Sequence, residues 1–192
     1  MPKYSPFKSG RFRVTSRYGE RVLGGVPEFH AGVDLVDADP AGIITAIMGG
    51  KVVRSRIVSQ STGSRTWEWG HYVCVQQDDA RLAYYAHLDE RHVTEGQRVL
   101  AGAELGVMGN TGHSFGRHLH LEIREGAKAI NAAEYLKIPN EVGAIVDMPT
   151  APVIDKWAIL QRKTGLEDHT IAYLQAWEWA DALCDKLLKQ MR

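Results

Sequence analysis

Before residue 130, no segment of this chain carries an apolar period of 3.6 residues long enough for a helix. Short alternating runs stand there instead: Arg11–Ser16, Ile43–Met48, Lys51–Val58, Tyr72–Gln76, Leu82–His87, Glu104–Met108 and His118–Arg124. Alternation with period two buries one face of a strand and wets the other. Gly96, Gly102, Gly106, Gly109, Gly112 and Gly116 pace the stretch around the last two runs, as tight turns with positive φ require. The predicted fold is therefore mainly β: an antiparallel sheet with its site on the concave face. At 192 residues, 44% of them apolar, the chain is long enough for one ordinary core and an appendage.

The pattern changes after residue 130. Ala132–Lys137 predicts one or two helical turns, and Pro139–Pro152 (PNEVGAIVDMPTAP) reads as a linker. Val153–Lys163 predicts a helix and Thr164-Gly165 a break. Glu167, Asp168, His169 and Thr170 then supply the start of a second helix reaching about Met191, with carboxylates at its positive end. Along it Tyr173, Trp177, Ala180, Cys184, Leu187 and Met191 form one apolar seam. The predicted organisation is a β domain over residues 1–139, a linker over 140–152 and a C-terminal α-helical hairpin over 153–192. The seam needs a partner: the first helix, the β domain or a second copy of the chain.

Composition excludes several classes. Basic and acidic residues balance at 23 each, so nothing points to nucleic acid. Residues 1–25 are locally basic, with Lys3, Lys8, Arg11, Arg13, Arg17 and Arg21 against Glu20. A solvated strand face explains this more simply than attraction to an anionic polymer. The longest nearly apolar run, Ala41–Gly50, is far short of the roughly 20 residues that cross a bilayer. The opening MPKYSPFKSGRFRV has no apolar h-region, which predicts that no secretory signal is present. Cys74 and Cys184 have neither disulfide nor metal-site spacing and read as buried free thiols.

Three separated pieces carry the chemistry: His30 and Asp34 in FHAGVD, His87 in YYAHLD, and His118 with His120 in GRHLHLEI. Each alone is explained by a chance surface histidine or a turn aspartate. The His-Leu-His triplet is rarer, because alternation puts both imidazoles on one face and Leu119 on the other. Together the pieces supply two histidines and a carboxylate for a metal, with two imidazoles to spare. Three protein ligands and one open position for water are the complement of a catalytic zinc.

These motifs resemble the lysostaphin-type zinc endopeptidases, which cut peptide bonds in bacterial peptidoglycan. The similarity runs from about Arg11 to about Pro139. VTSRYGER is similar to the family's opening strand and Gly-Arg turn, FHAGVDLV to its first ligand motif, and ITAIMGGKVV to the strand pair that follows. YYAHLDE resembles the third motif, and VTEGQRVLAGAELGVMGNTGHSFGRHLHLEI the glycine-paced run ending in the His-x-His strand. The resemblance implies a lysostaphin-type antiparallel scaffold and one Zn²⁺ per chain held by His30, Asp34 and His120. It marks His87 and His118 as catalytic. One would take a proton and return it to the leaving amine, and the other would stabilise the oxyanion. His118 is the favoured base, and the two roles stay open.

The implied partner is peptidoglycan, with no nucleic acid and no membrane insertion. With no apolar leader in view, the expectation is a phage or prophage endolysin, made in the cytoplasm and acting on the wall after release or carried in a virion. Two alternatives are a virion structural component that retains a hydrolase domain and a non-catalytic wall-binding or activator relative. The complete ligand set argues against the second. The helical hairpin would bind the wall, form a homodimer or brace the β domain.

Other residues are less constrained. Glu122 continues the His118–His120 face and either orients a ligand imidazole or is a strand-end carboxylate. Asn110, with Thr111 in a glycine loop, and Trp67 and Trp69 in SQSTGSRTWEWG are candidates for lining a substrate groove. Turn chemistry and sheet packing explain them equally well. His71, His92 and His169 read as ordinary surface or strand residues, and His113 is open.

Overall fold

The structure, a computed structural model, describes residues 1–57, 68–152, 156–176 and 180–190. In chain order its strands are β1 (Arg11–Ser16), β2 (Gly19–Leu23), β3 (Val26–His30), β4 (Val33–Asp37), β5 (Ile43–Thr45), β6 (Gly50–Ile57), β7 (His71–Gln77), β8 (Leu82–Arg91), β9 (Arg98–Val99), β10 (Glu104–Met108), β11 (Leu119–Glu125), β12 (Lys128–Ile130) and β13 (Ile145–Asp147). The helices are α1 (Ala132–Leu136), α2 (Lys156–Thr164), α3 (Asp168–Gln175) and α4 (Ala180–Gln190). Contacts divide the chain into two units, Met1–Ala151 and Pro152–Arg192.

The first unit is built on one antiparallel sheet with the path β13-β1-β4-β11-β8-β7-β6-β9, with β10 joining β8 to β5 and β12 pairing with β11. Alternation explains which residues face inward. In β1, Phe12 and Val14 are buried while Arg11 and Arg13 are exposed. In the central strand β11, Leu119, Leu121 and Ile123 enter the apolar core with Phe7, Leu35, Ile44, Ile47, Leu88 and Leu105. Each such side chain contributes about 1.5–3 kcal/mol relative to exposure. The intervening residues, His120, Glu122 and Arg124, therefore lie on the opposite face.

β2 and β3 form a separate hairpin closed by Gly24-Gly25, with φ of 58° and 84°. Two adjacent residues at positive φ are what a two-residue hairpin turn demands, and glycine adopts them without strain. That signal was present in the sequence, although the strands are absent from the runs recognised there.

The predicted linker over residues 140–152 is not one. Ile145–Asp147 forms β13 and pairs with β1, Val146 is buried, and Arg11 binds Asp147 at 2.9 Å. The glycine and prolines of this stretch mark turns around an edge strand, so the first unit continues to Ala151. The basic N-terminal stretch is largely used within the protein. Lys8 pairs with Glu104, Arg11 with Asp147 and Arg21 with Glu28, and Lys3 lies over the ring of Tyr135.

In the second unit, α2, α3 and α4 gather around Leu160, Ile171, Ala180 and Cys184. The C-terminal helices are present, and the second predicted helix is divided into α3 and α4, with α3 ending at the cap Ala176. Of the predicted seam, Ala180 and Cys184 are buried and Leu187 packs against them, whereas Tyr173 is 65% exposed and Ile171 is buried instead. Trp177 and Met191 lie outside the described residues. Cys74 and Cys184 are both buried, and neither is part of a disulfide. Among the described residues no helix is long and apolar enough to cross a membrane.

Candidate metal centre

Asp34 on β4 and His120 on β11 are direct cross-strand partners, which places both side chains on the same face. His30 ends β3, and the link Ala31-Gly32 turns the chain back so that His30 reaches the same point. Gly32 is required there: a Cβ would sit 2.6 Å from the carbonyl oxygen of Leu121 and 2.7 Å from the His120 ring. The glycine of the HAGVD motif thus admits the β4–β11 contact that brings the candidate ligands together.

His87 arrives differently. The first part of β8 pairs with β11 up to Ala86, and its last part pairs with β10 from Leu88 onward. His87 lies between the two, at φ 65°. A non-glycine residue at positive φ is strained, and such strain is held where surrounding structure over-determines it. Here the bend turns the imidazole toward His118, with ring centroids 4.7 Å apart.

Main-chain carbonyls orient three of the four imidazoles. His30 Nδ1 lies 2.8 Å from the Arg17 carbonyl, His87 Nδ1 2.8 Å from that of Thr111, and His118 Nδ1 2.7 Å from that of Gly116. A carbonyl only accepts, so each Nδ1 carries the hydrogen, and in the neutral ring each Nε2 keeps its lone pair. His120 is reversed: its Nδ1 faces Asp34 Oδ1 at 3.0 Å. Its Nε2 is buried with no hydrogen-bond partner among the described residues. The nearest carboxylate oxygen, Glu122 Oε2, is 3.6 Å away, beyond hydrogen-bond range. Glu122 is buried and paired with Arg124, whose guanidinium lies over the rings of Tyr84 and Trp69. It is therefore an interior carboxylate beneath His120, not one at the sheet margin.

His30 Nε2, Asp34 Oδ1 and His120 Nδ1 lie 3.0–3.2 Å apart. Zinc bonds of about 2.0–2.2 Å in a tetrahedron place neighbouring donors on the order of 3.4 Å apart. The His30 lone pair and the Asp34 oxygen would repel each other at 3.2 Å unless a cation stood between them. The three residues fit a single metal ion, and these are the residues the sequence put forward.

Without a metal, a proton does this work. Burial pushes His120 down, but the carboxylates of Asp34 and Glu122 outweigh it and lift its pKa to about 9. Burial likewise disfavours the Asp34 carboxylate, yet the hydrogen bond from the protonated His120 holds it well below the usual range. A metal must therefore displace the His120 proton at neutral pH. Loading at pH 7 should release about one proton, and affinity should climb with pH until about 9 and then level off. Calorimetry in buffers of different ionisation enthalpy measures this directly. A binding heat independent of buffer would contradict it.

The site opens into a cleft of about 780 Å³. Val22 and Phe29 of the hairpin and Phe115 of the loop before β11 line it, at 67%, 54% and 78% exposure. Exposed apolar side chains around a polar floor suit a peptide ligand. His113 also lines the cleft, edge-on to Phe115. Of the proposed groove residues, Trp69 lines the cleft and packs on Tyr72 and Tyr84. Asn110 is exposed, lies outside the lining and donates its backbone N–H to Asp89. Trp67 lies outside the described residues. The sequence reading missed Arg21 and the three orienting carbonyls. Arg21 had a visible signal, a cation in the VTSRYGER motif; the carbonyls had none.

The family model of Peptidase family M23 matches residues 28–132. Peptidoglycan DD-endopeptidase ShyA of Vibrio cholerae is 32% identical over 126 residues, which cover 64% of this chain and 27% of ShyA. The chain thus spans just over a quarter of that relative's length. Among solved structures, the catalytic domain of a mutant of the prophage-encoded M23 protein EnpA from Enterococcus faecalis aligns with a TM-score of 0.52 and 31% identity, covering 62% of this chain and 88% of that one. A zinc-containing peptidase from Vibrio cholerae aligns with a TM-score of 0.57 and 26% identity, covering 71% of this chain and 41% of that one.

Proposed function

The chain belongs to peptidase family M23, and from that membership we propose that it is a zinc-dependent endopeptidase hydrolysing amide bonds in the peptide stems or cross-bridges of peptidoglycan. The observation that carries this reading is the convergence of the His30, Asp34 and His120 donors, with two further imidazoles turned toward the same point. The substrate of ShyA supports the choice of peptidoglycan. The likeness to prophage-encoded EnpA supports our further proposal of a phage or prophage lysis enzyme.

His30, Asp34 and His120 would hold the metal. When bound, it supplies a Lewis acid that polarises the scissile carbonyl and acidifies the attacking water. His87 and His118 handle the protons. With Nδ1 tied to a carbonyl, each presents Nε2 as an acceptor. Burial and the neighbouring imidazoles push His87 down to about 4, so it is neutral at neutral pH. The imidazole that takes the proton of water becomes a cation as the C–O bond forms. It then gives that proton to the amine nitrogen as the C–N bond breaks.

The test is mass spectrometry of muropeptides released from walls of differing cross-bridge type. Release of new amine and carboxyl ends within peptides is expected, abolished by a zinc chelator and restored by zinc. Cleavage confined to the glycan, or undiminished cleavage after metal removal, would overturn the reading.

A further inference from the structure

The two oxygens of Asp34 face different partners. Oδ1 points at the ligand imidazoles, His30 Nε2 at 3.2 Å and His120 Nδ1 at 3.0 Å. Oδ2 faces Arg21 Nη1 at 3.2 Å. Arg21 belongs to the β2–β3 hairpin, which is not part of the sheet that carries Asp34. Its guanidinium is held by Glu28 Oε1 at 2.5 Å and by the Ser16 hydroxyl at 2.6 Å. Register explains the arrangement: Arg21 lies opposite Glu28 in the hairpin, and Ser16 opposite Asp34 in the sheet. The Arg21 side chain is 21% exposed and that of Asp34 12%, so water competes poorly for this contact.

A carboxylate binds a metal through one oxygen or two. With both oxygens on the ion, Asp34 and the two histidines would fill four positions and leave none open. A guanidinium fixed on Oδ2 withholds that oxygen. We propose that Arg21 is a positioning residue that makes Asp34 a single-oxygen metal ligand and so keeps one coordination position free. This rests on the metal-centre reading above. A lysine is no equivalent, since one ammonium lacks the planar fork that serves Ser16, Glu28 and Asp34 together.

The test uses the full chain loaded with Co²⁺, whose visible absorption is strong at four-coordinate sites and weakens as coordination number rises. Wild type should take up about one equivalent and show the strong four-coordinate band. Arg21→Met should retain cobalt with a weaker band, because Oδ2 is released to the ion. Arg21→Lys should recover part of the intensity. Glu28→Gln, which loosens the hairpin tie but leaves Arg21 on Asp34, should lower Tm without changing the band. If Arg21→Met does not fold, Arg21→Gln carries the same comparison with an amide too short to reach Oδ2. A wild-type band in the folded Arg21 variant, with only Tm reduced, would make Arg21 a structural tie and overturn the inference. A wild type that takes up no cobalt would instead overturn the metal-centre reading itself.

Discussion

Asp34→Ala should lose metal and activity together. Asp34 Oδ1 stands within 3.2 Å of both ligand imidazoles, and Asp34 is the one carboxylate in the ligand group. Without it the donors are two neutral imidazoles, too few and uncharged for a divalent ion. Metal content of protein purified without added zinc should fall from about one equivalent to near none. The loss reaches further, because Asp34 also holds His120 protonated in the metal-free protein. With it gone, Glu122 alone opposes burial at His120, and the proton released on loading disappears with the metal. Asp34→Asn, nearly the same shape without the charge, should fail in the same way. Metal analysis and wall turbidity measured side by side are the check, and retention of one equivalent by either variant would end the assignment.

His87→Ala and His118→Ala should behave in the opposite sense, keeping the metal while activity falls by roughly 10²-fold or more. That is a loss of about 2.7 kcal/mol or more in transition-state stabilisation. Neither residue belongs to the ligand group, although His118 Nε2 comes within 3.5 Å of Asp34 Oδ1. The two variants should differ in stability. His87 is buried, and its removal leaves the Thr111 carbonyl without its donor, at a cost on the order of 1 kcal/mol. His118 is half-buried and should cost less. The double variant should lose less than the product of the single losses, because both imidazoles serve one proton path. Near-normal hydrolysis by both single variants, with metal intact, would remove them from the mechanism.

The pH dependence of such activity follows from the same geometry. The imidazole that accepts the proton must be neutral, and below about pH 9 a proton competes with the metal for His120.

Much of this was legible in the chain alone. Alternation in Arg11–Ser16 and Glu104–Met108 decided β1 and β10 to the residue, because a strand on a core must repeat every second position. The five donor side chains were legible because few residue types bind zinc or move protons near neutral pH, and His118-Leu119-His120 can place two imidazoles on one face only as a strand. What the sequence left open is non-local. Ile145–Asp147 looks like a linker until it pairs with β1, some 130 residues earlier. Nothing in the code marks the carbonyls of Arg17, Thr111 and Gly116 as the groups that turn three imidazoles inward, since every residue has a carbonyl and only position distinguishes these. The partner of Arg21 is likewise decided by where the Gly24-Gly25 turn sets the hairpin against β4. The chain by itself determined which chemical groups are present and with what period they recur. Which lone pairs point at which oxygen depends on tenths of an ångström across strands distant in sequence, and only the packed sheet sets those.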